Sequence, residues 1–448
     1  MGDTIVAAAT ASGESGIGIV RLSGSQSVNI ARRCFSSTET LGARPRFAEL
    51  GKVVVDGEVI DEGLGLVFLG PKSYTGEDVV EIQCHGNPLI IQKIIKFAVS
   101  CGARVAGPGE FTKRAFLNGR LDLMQAEAVV DLIKAESEVE LRDAYGQARG
   151  RLSELVKHLK EQVVSALALI EVGLDFSDED IDEIGRVRIL DGLKGVLAEA
   201  TLLVDQFEAG GRRMRGSMVA IVGPANVGKS TLLNRLLGEE RAIVSSRPGT
   251  TRDTVEGRAV FGGRSVRLVD TAGIRDSEDV IELEGISKTK QKIQDANLVL
   301  LVVDGSDEDS PAVLKKLIPK ITCPFIVVVN KIDLVVDPTV ALGDYPQCVF
   351  VSGHTSEGLS DLQAAVERRL ADFSEGGAVA LTRDRHANLL SDVCAKVAAA
   401  VSGLELGHSD ECVAVDLRGA LGDCGVLLGE DVGEDVLDAI FSEFCIGK

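Results

Sequence analysis

The chain has 448 residues, 45% of them hydrophobic, which is enough to bury real cores and excludes general disorder. At roughly 150 residues per domain, this length suggests about three domains. Asp and Glu total 68 against 48 Lys and Arg, and the resulting net charge of −20 argues against a protein that coats nucleic acid by bulk charge. No apolar run approaches the ~18 residues of a membrane span. MGDTIVAAATASG has no Lys or Arg ahead of its apolar stretch, so no signal peptide is expected. The nine Cys include no CxxC pair, which points to reduced thiols rather than a zinc ribbon or a disulfide framework. A cytoplasmic protein without a membrane association is the expectation.

Residues 1 to about 118 read as mixed α/β. The β-type runs GIGIVRLSG, KVVVDGEVID, GLGLVFLG and DVVEIQCHG are separated by Gly, Asp and Pro, and a helix is predicted over Pro88 to Ser100. From Leu121 apolar residues recur at three- and four-residue spacing without Pro, which predicts long amphipathic helix as far as the acidic run DFSDEDIDEIG. A second helix is predicted from about Arg186 to Glu208. From Met218 strand-like runs alternate with helical stretches: MVAIVG, SVRLVD, NLVLLVVDG, FIVVVNKID and CVFVSG. That alternation predicts a parallel, doubly wound sheet. After the linker SEGG, residues 380–448 return to helix with breaks at Gly407–Ser409 and Gly429. An α/β unit inserted into one helical domain is the simplest arrangement, since each helical half alone has a small core.

The strand MVAIVG runs into GPANVGKST, which fits GxxxxGK[ST] at Gly223 and Gly228-Lys229-Ser230. Glycines there let backbone N–H groups wrap phosphates, Lys229 reaches the β- and γ-phosphates, and Ser230 is an Mg²⁺ ligand. Asn226, Val227 and Thr231 complete the loop. Further segments follow in the order of a GTPase. GTTRD offers Thr251 as a second Mg²⁺ ligand. In DTAG, Asp270 holds the metal through water and the Gly273 N–H meets the γ-phosphate, with Thr271 and Ala272 between them. NKID offers Asn330, Lys331 and Asp333, and the Asp333 carboxylate accepts from guanine N1–H and its 2-amino group, which adenine lacks there. Ser352-Gly353-His354 stands where this superfamily usually shows Ser-Ala-Lys. Ile274 follows DTAG and cannot orient water as a Gln would. A monovalent cation on Asn226, covered by SSRPGTT (Ser245, Ser246, Arg247, Pro248, Gly249, Thr250 and Thr251), is a candidate for the missing charge. Glu278, Glu282 and Glu284 are alternative water-orienting acids.

At this point the chain resembles the MnmE (TrmE) family of tRNA wobble-uridine modification GTPases over its whole length. The resemblance rests on DTIVAAAT, GIGIVRLSG, SYTGEDVVEIQCHG, PGEFTKRAFLNGRLDLMQAEAV, the GTPase segments and the terminal FCIGK. It implies a multidomain protein: an α/β tetrahydrofolate-binding and dimerisation domain at 1–118, a helical domain in two parts at 119–210 and 374–448, and a Ras-like α/β P-loop GTPase domain inserted at 211–373. It also implies folate contacts at Arg21, Glu81, Arg120 and Lys448. A K⁺ held by Asn226, Ser245, Arg247 and Thr250 is implied, as is a hydrolytic constellation of Glu282 with Lys229, Asp270 and Gly273. The implied cofactors are Mg²⁺, K⁺ and 5-formyl- or methylene-tetrahydrofolate. The implied partners are a second copy of the chain, tRNA, and MnmG (GidA), which uses FAD and NADH. Together they would place an aminomethyl or carboxymethylaminomethyl group on the wobble uridine. Cys445, in FCIGK, is either a modification-site thiol or a buried helix-end cysteine. Two alternatives are a ribosome-assembly GTPase of the Era or Der type and a one-carbon transferase with an accessory G domain. The first would carry a KH domain, and no GXXG loop in a basic setting is found in either flank.

Overall fold

The computed structural model describes residues 2–37, 40–135, 137–175, 183–214, 217–239, 256–262, 264–270, 296–321, 323–335, 348–371 and 383–448. The chain divides into two compact units: Met1–Ile133 with Gln147–Glu161 and Leu421–Lys448, and Lys134–Gly146 with Gln162–Ala420.

The first unit opens with β1 (Thr4–Ala8), β2 (Ser15–Ser23), α1 (Ser27–Cys34), β3 (Phe35–Ser37), β4 (Glu49–Val55), β5 (Glu58–Phe68), β6 (Val79–Gly86), α2 (Pro88–Ser100) and β7 (Ala103–Val105). The strands form one sheet in the order β3-β4-β5-β6-β2-β1-β7. All neighbours are antiparallel except β1 and β7. Alternation along the strands decides which residues meet the helices. Val20, Leu22, Val80 and Ile82 are buried in one core with Ile30 and Ala31 of α1 and Ile94 and Ala98 of α2. Their neighbours Arg21 and Glu81 therefore lie on the opposite face, directly paired in register across β2 and β6. The helix α2 begins at Pro88, as predicted, and Asn87 caps it by accepting from the Leu89 N–H.

The long helix expected from Leu121 is broken. After α3 (Glu110–Leu117) come α4 (Leu123–Lys134), α5 (Glu138–Ala148) and α6 (Arg151–Asp175). Periodicity was continuous, but two local signals interrupt it. The Ser137 hydroxyl accepts from the Glu140 N–H at 3.2 Å and so caps α5. Gly150, at φ +88°, takes the left-handed conformation that ends a helix. The next helix, α7 (Glu183–Met214), is longer than predicted at both ends.

The α/β domain of the second unit contains β8 (Ser217–Val222), α8 (Lys229–Glu239), β9 (Glu256–Phe261), β10 (Arg264–Asp270), β11 (Leu298–Asp304), α9 (Ser310–Leu317), β12 (Phe325–Asn330), β13 (Cys348–Phe350) and α10 (Leu359–Ala371). The sheet order is β13-β12-β11-β8-β10-β9. Five strands are parallel, and β9 adds an antiparallel edge that the sequence reading missed. Both faces are covered, as the near-continuous apolar strands require. Ile221, Leu300 and Val328 pack with Leu232 and Leu236 of α8 and Leu362 of α10. Val222, Leu301 and Val329 pack with Leu314 of α9. The order reverses at β8 and β11, and such a switch point opens a crevice beyond the strand ends.

After this domain come α11 (Asp384–Leu406), α12 (Asp410–Leu428) and α13 (Glu434–Ser442), with breaks at the predicted glycines. In the second unit α11 packs along α7, so the helices flanking the α/β domain are neighbours in space. Lys194 pairs with Glu405 at 2.7 Å and Arg186 with Asp410 at 3.3 Å. In the first unit α13 closes over α4 through Leu123, Ala126, Val130, Leu437, Ile440 and Phe441.

Candidate functional site

The crevice of the α/β domain is built by loops after β8, β12 and β13. The loop after β8 turns into α8 at Lys229, so the first N–H groups of that helix face the strand ends. Gly228 has φ +90°, and a Cβ there would come 2.4 Å from Asn330 Nδ2. Asn226 also adopts a left-handed conformation, at φ +66°, which Asn tolerates better than most residues. The buried Lys229 ammonium donates to the Gly223 carbonyl at 2.9 Å and to that of Pro224, spanning the loop. Ser230 is exposed in the first turn of α8.

Asn330, at the end of β12, is only 2% exposed and ties the crevice together. Its Nδ2 donates to the Val227 carbonyl at 2.8 Å, and its Oδ1 accepts the Gly353 N–H at 2.9 Å. The Ser352 hydroxyl donates to Asp333 Oδ1 at 2.6 Å and so orients that exposed carboxylate. Lys331 has φ +65° and its ammonium lies 2.6 Å from Asp304 Oδ2. Burial works to raise the Asp304 carboxyl, but Lys331 and the Ser306 donors outweigh it and hold it below the ordinary value. Sequence reading missed Asp304 and Arg235. The first is set by strand pairing, because Asp304 ends β11 in register with Asn330, which no local pattern announces. The second had no signal either: Arg235 reaches from α8 to the backbone of Gly353 and His354.

Asp270 ends β10 in register with Ile221 of β8, the strand that leads into the Gly223–Ser230 loop. Ser245, Ser246, Arg247, Pro248, Gly249, Thr250, Thr251, Thr271, Ala272, Gly273 and Glu282 lie outside the described residues.

In the first unit, Arg21 Nε donates to Glu81 Oε1 at 2.9 Å, and its Nη1 to the Gly447 carbonyl at 3.4 Å. The guanidinium also lies 5.7 Å from the ring centres of Tyr74 and Phe111. The last residues of the chain form a bridge between Ile446 and Pro108, and the Phe111 N–H donates to the Lys448 carbonyl at 3.2 Å. Burial lowers the Lys448 ammonium below the ordinary lysine value, and Arg21 lowers it further, with Glu81 opposing. Arg21, Glu81 and Lys448 thus share one place. Arg120 packs beside Gly76 and lines a depression with Asp122, Gln125 and Glu430. Cys445 is exposed.

A phosphate loop at the switch point of a parallel sheet, with an Asn-Lys-x-Asp strand end able to read a guanine edge, makes the second unit's α/β domain a P-loop domain of the GTPase class. The profile of the GTP-binding protein TrmE N-terminus matches residues 4–120, and that of the MnmE helical domain matches residues 123–445. The "tRNA modification GTPase MnmE" of Geobacter sulfurreducens is 42% identical over 462 residues, covering 100% of this chain and 99% of that protein. The protein of the same description from Syntrophotalea carbinolica is 43% identical over 455 residues, again with 100% and 99% covered. A crystal structure of Aquifex aeolicus Era bound to GDP.AlF4- is 27% identical over 40% of this chain and 66% of that one, with a TM-score of 0.29. The chain belongs to the MnmE family of tRNA modification GTPases.

Proposed function

We propose that the chain is a K⁺-stimulated GTP hydrolase whose cycle drives tRNA modification together with MnmG, an FAD- and NADH-using partner. In this reading the pair places an aminomethyl or carboxymethylaminomethyl group on C5 of the wobble uridine, in the cytoplasm. Membership of the family supports GTP hydrolysis in tRNA modification. The observation that carries the nucleotide reading is the Asn330 side chain, which joins the phosphate loop at Val227 to the last loop at Gly353. That bond pair holds a phosphate cradle and a base-reading edge as one surface. Lys229 and the loop N–H groups hold the phosphates, and Asp333, oriented by Ser352, reads guanine.

Ser230 is a hard oxygen ligand at a helix start, which suits Mg²⁺, and Thr251 would be its partner. Asn226 carries a neutral oxygen on the same loop, which suits K⁺, with Ser245, Arg247 and Thr250 completing the set. A bound cation supplies positive charge against the transferring phosphoryl group. Glu282 orients water in this reading, Asp270 holds the metal through water, and the Gly273 N–H meets the γ-phosphate.

Arg21, Glu81 and Lys448 fit a folate: a carboxylate suits a pterin edge, cations suit a glutamate tail, and Tyr74 and Phe111 offer ring faces. A folate bound there supplies the one-carbon unit, and Arg120 would join from the neighbouring loop or from a second copy paired through the same domain. Cys445, exposed beside this cluster, is a candidate for positioning the substrate.

The test is steady-state GTP hydrolysis in matched KCl and NaCl. Stimulation by K⁺ of at least about tenfold, lost in Asn226→Ala, is expected for a cation doing the work of an arginine finger. Equal rates in the two salts would overturn the cation-bridged mechanism.

A further inference from the structure

The last loop of the nucleotide crevice has Gly353 at the alanine position of the usual Ser-Ala-Lys pattern. Space does not require the glycine. A Cβ at Gly353 would meet Thr231 Cγ2 at 3.5 Å, with Asn330 Oδ1 and the Leu232 nitrogen at 3.6 Å, all ordinary contact. What the glycine adds is backbone freedom, which is unfavourable in a loop that must present a fixed edge to a base.

The loop is held from two sides. Asn330 Oδ1 takes the Gly353 N–H. On the other side Arg235 Nε donates to the Gly353 carbonyl at 3.2 Å, and Arg235 Nη2 to the His354 carbonyl at 3.1 Å. A guanidinium can place two donors in fixed geometry on two successive carbonyls, whereas an ammonium acts from a single point. Arg235 sits on α8, the helix that begins at the phosphate loop. The fork therefore joins the phosphate-binding helix to the base-reading loop.

We propose that Arg235 is a positioning residue for guanine recognition, restraining the Ser352-Gly353-His354 loop through the carbonyls of Gly353 and His354. The inference rests on the reading of this crevice as a guanine-nucleotide site. Arg235 does not touch the nucleotide in this account. It limits the conformations of the loop before binding, so it acts on affinity through preorganisation.

The experiment is calorimetric titration of the full-length chain with GDP and Mg²⁺, for the natural sequence, Arg235→Ala and Arg235→Lys. Each Arg235 change is also made in the Gly353→Ala background. Arg235→Ala should weaken GDP binding about tenfold, the scale of two lost hydrogen bonds. Arg235→Lys should recover only part of that loss. In the Gly353→Ala background the cost of Arg235→Ala should fall to about threefold or less, because alanine already restricts the loop. A purely structural role for Arg235 would show no dependence on residue 353. GDP affinity of Arg235→Ala within about twofold of the natural sequence overturns the proposal, as does a loss of equal size in both backgrounds. If Arg235→Ala does not fold, Arg235→Lys in the two backgrounds makes the same comparison. A natural sequence that does not bind GDP overturns the nucleotide reading as well, which separates the two failures.

Discussion

The cysteines show how far surroundings govern a side chain. Burial pushes the Cys34 thiol up to about 12, and Cys101 nearby adds to it. Burial likewise carries Cys84 and Cys424 to about 11. Such thiols hold almost no thiolate near neutral pH, while Cys412 and Cys445 are exposed. Brief alkylation of the folded protein at pH 8, followed by peptide mapping, should therefore modify Cys412 and Cys445 first. Cys34, Cys84 and Cys424 should react only on unfolding, and labelling of Cys34 as fast as Cys445 would contradict this. The sequence alone left Cys445 open between exposed and buried, because apolar neighbours are compatible with either. The candidate nucleotide residues stand out in the sequence for a different reason. Gly228-Lys229-Ser230 and Asn330-Lys331-Ile332-Asp333 are each contiguous, so short spacing carries the chemistry. Asp304 was not legible because its partner Lys331 is on another strand end.

At the scale of elements, the terminal FCIGK segment is held as an added piece of the first unit. Its Ile446 bridges Pro108, and the N–H groups of Gly109 and Phe111 donate to the carbonyls of Cys445 and Lys448. Gly447 is at φ +95°, and a Cβ there would come 2.0 Å from the Ala8 carbonyl oxygen. No side chain fits without moving β1 or lifting the tail. Gly447→Ala should destabilise the docked tail by about 2 kcal/mol or more, since it combines backbone strain with a steric clash. Limited proteolysis should then release the C-terminal residues faster than in the natural sequence, and unchanged protection would show that the tail docks by other means. The helices were legible in type but less so in extent. Apolar spacing revealed the helical stretch after Leu121, whereas its breaks depended on the Ser137 cap and the left-handed Gly150, signals that a periodic pattern overrides.

At the scale of the whole molecule, charges far apart in sequence are gathered by the fold. The Arg114 side chain, 2% exposed, bonds Glu77 at 3.0 Å, Asp3 at 2.8 Å and Glu110 at 3.2 Å. A buried guanidinium needs such carboxylates, since its own desolvation is unfavourable. Hydrogen bonding by Arg104 lowers the Asp3 carboxyl, with Arg114 adding. Burial raises Glu110, but Arg104, the Gly107 N–H and Arg114 overcome that and leave it lowered. Both folded carboxyls thus lie below their ordinary values of 3.8 and 4.5, so the unfolded chain takes up these protons first as pH falls. Their stabilisation is complete above about pH 5 and is lost as pH drops through the lowered values. Thermal melts across pH 6 to 3 should show an acid loss that is shallower in Glu110→Gln. An identical slope in that variant would assign the acid sensitivity elsewhere.

Local chemistry sufficed for the α/β or helical character of each long segment and for the phosphate-loop and Asn-Lys-x-Asp motifs, because each rests on periodicity or on residues a few positions apart. Sheet order, the antiparallel edge β9 and the gathering of Arg21, Glu81 and Lys448 were settled only by tertiary structure. So was the fork of Arg235 on the loop after β13. Each of these joins groups separated by long stretches of chain, and only packing, which brings such stretches into register, determines which of them meet.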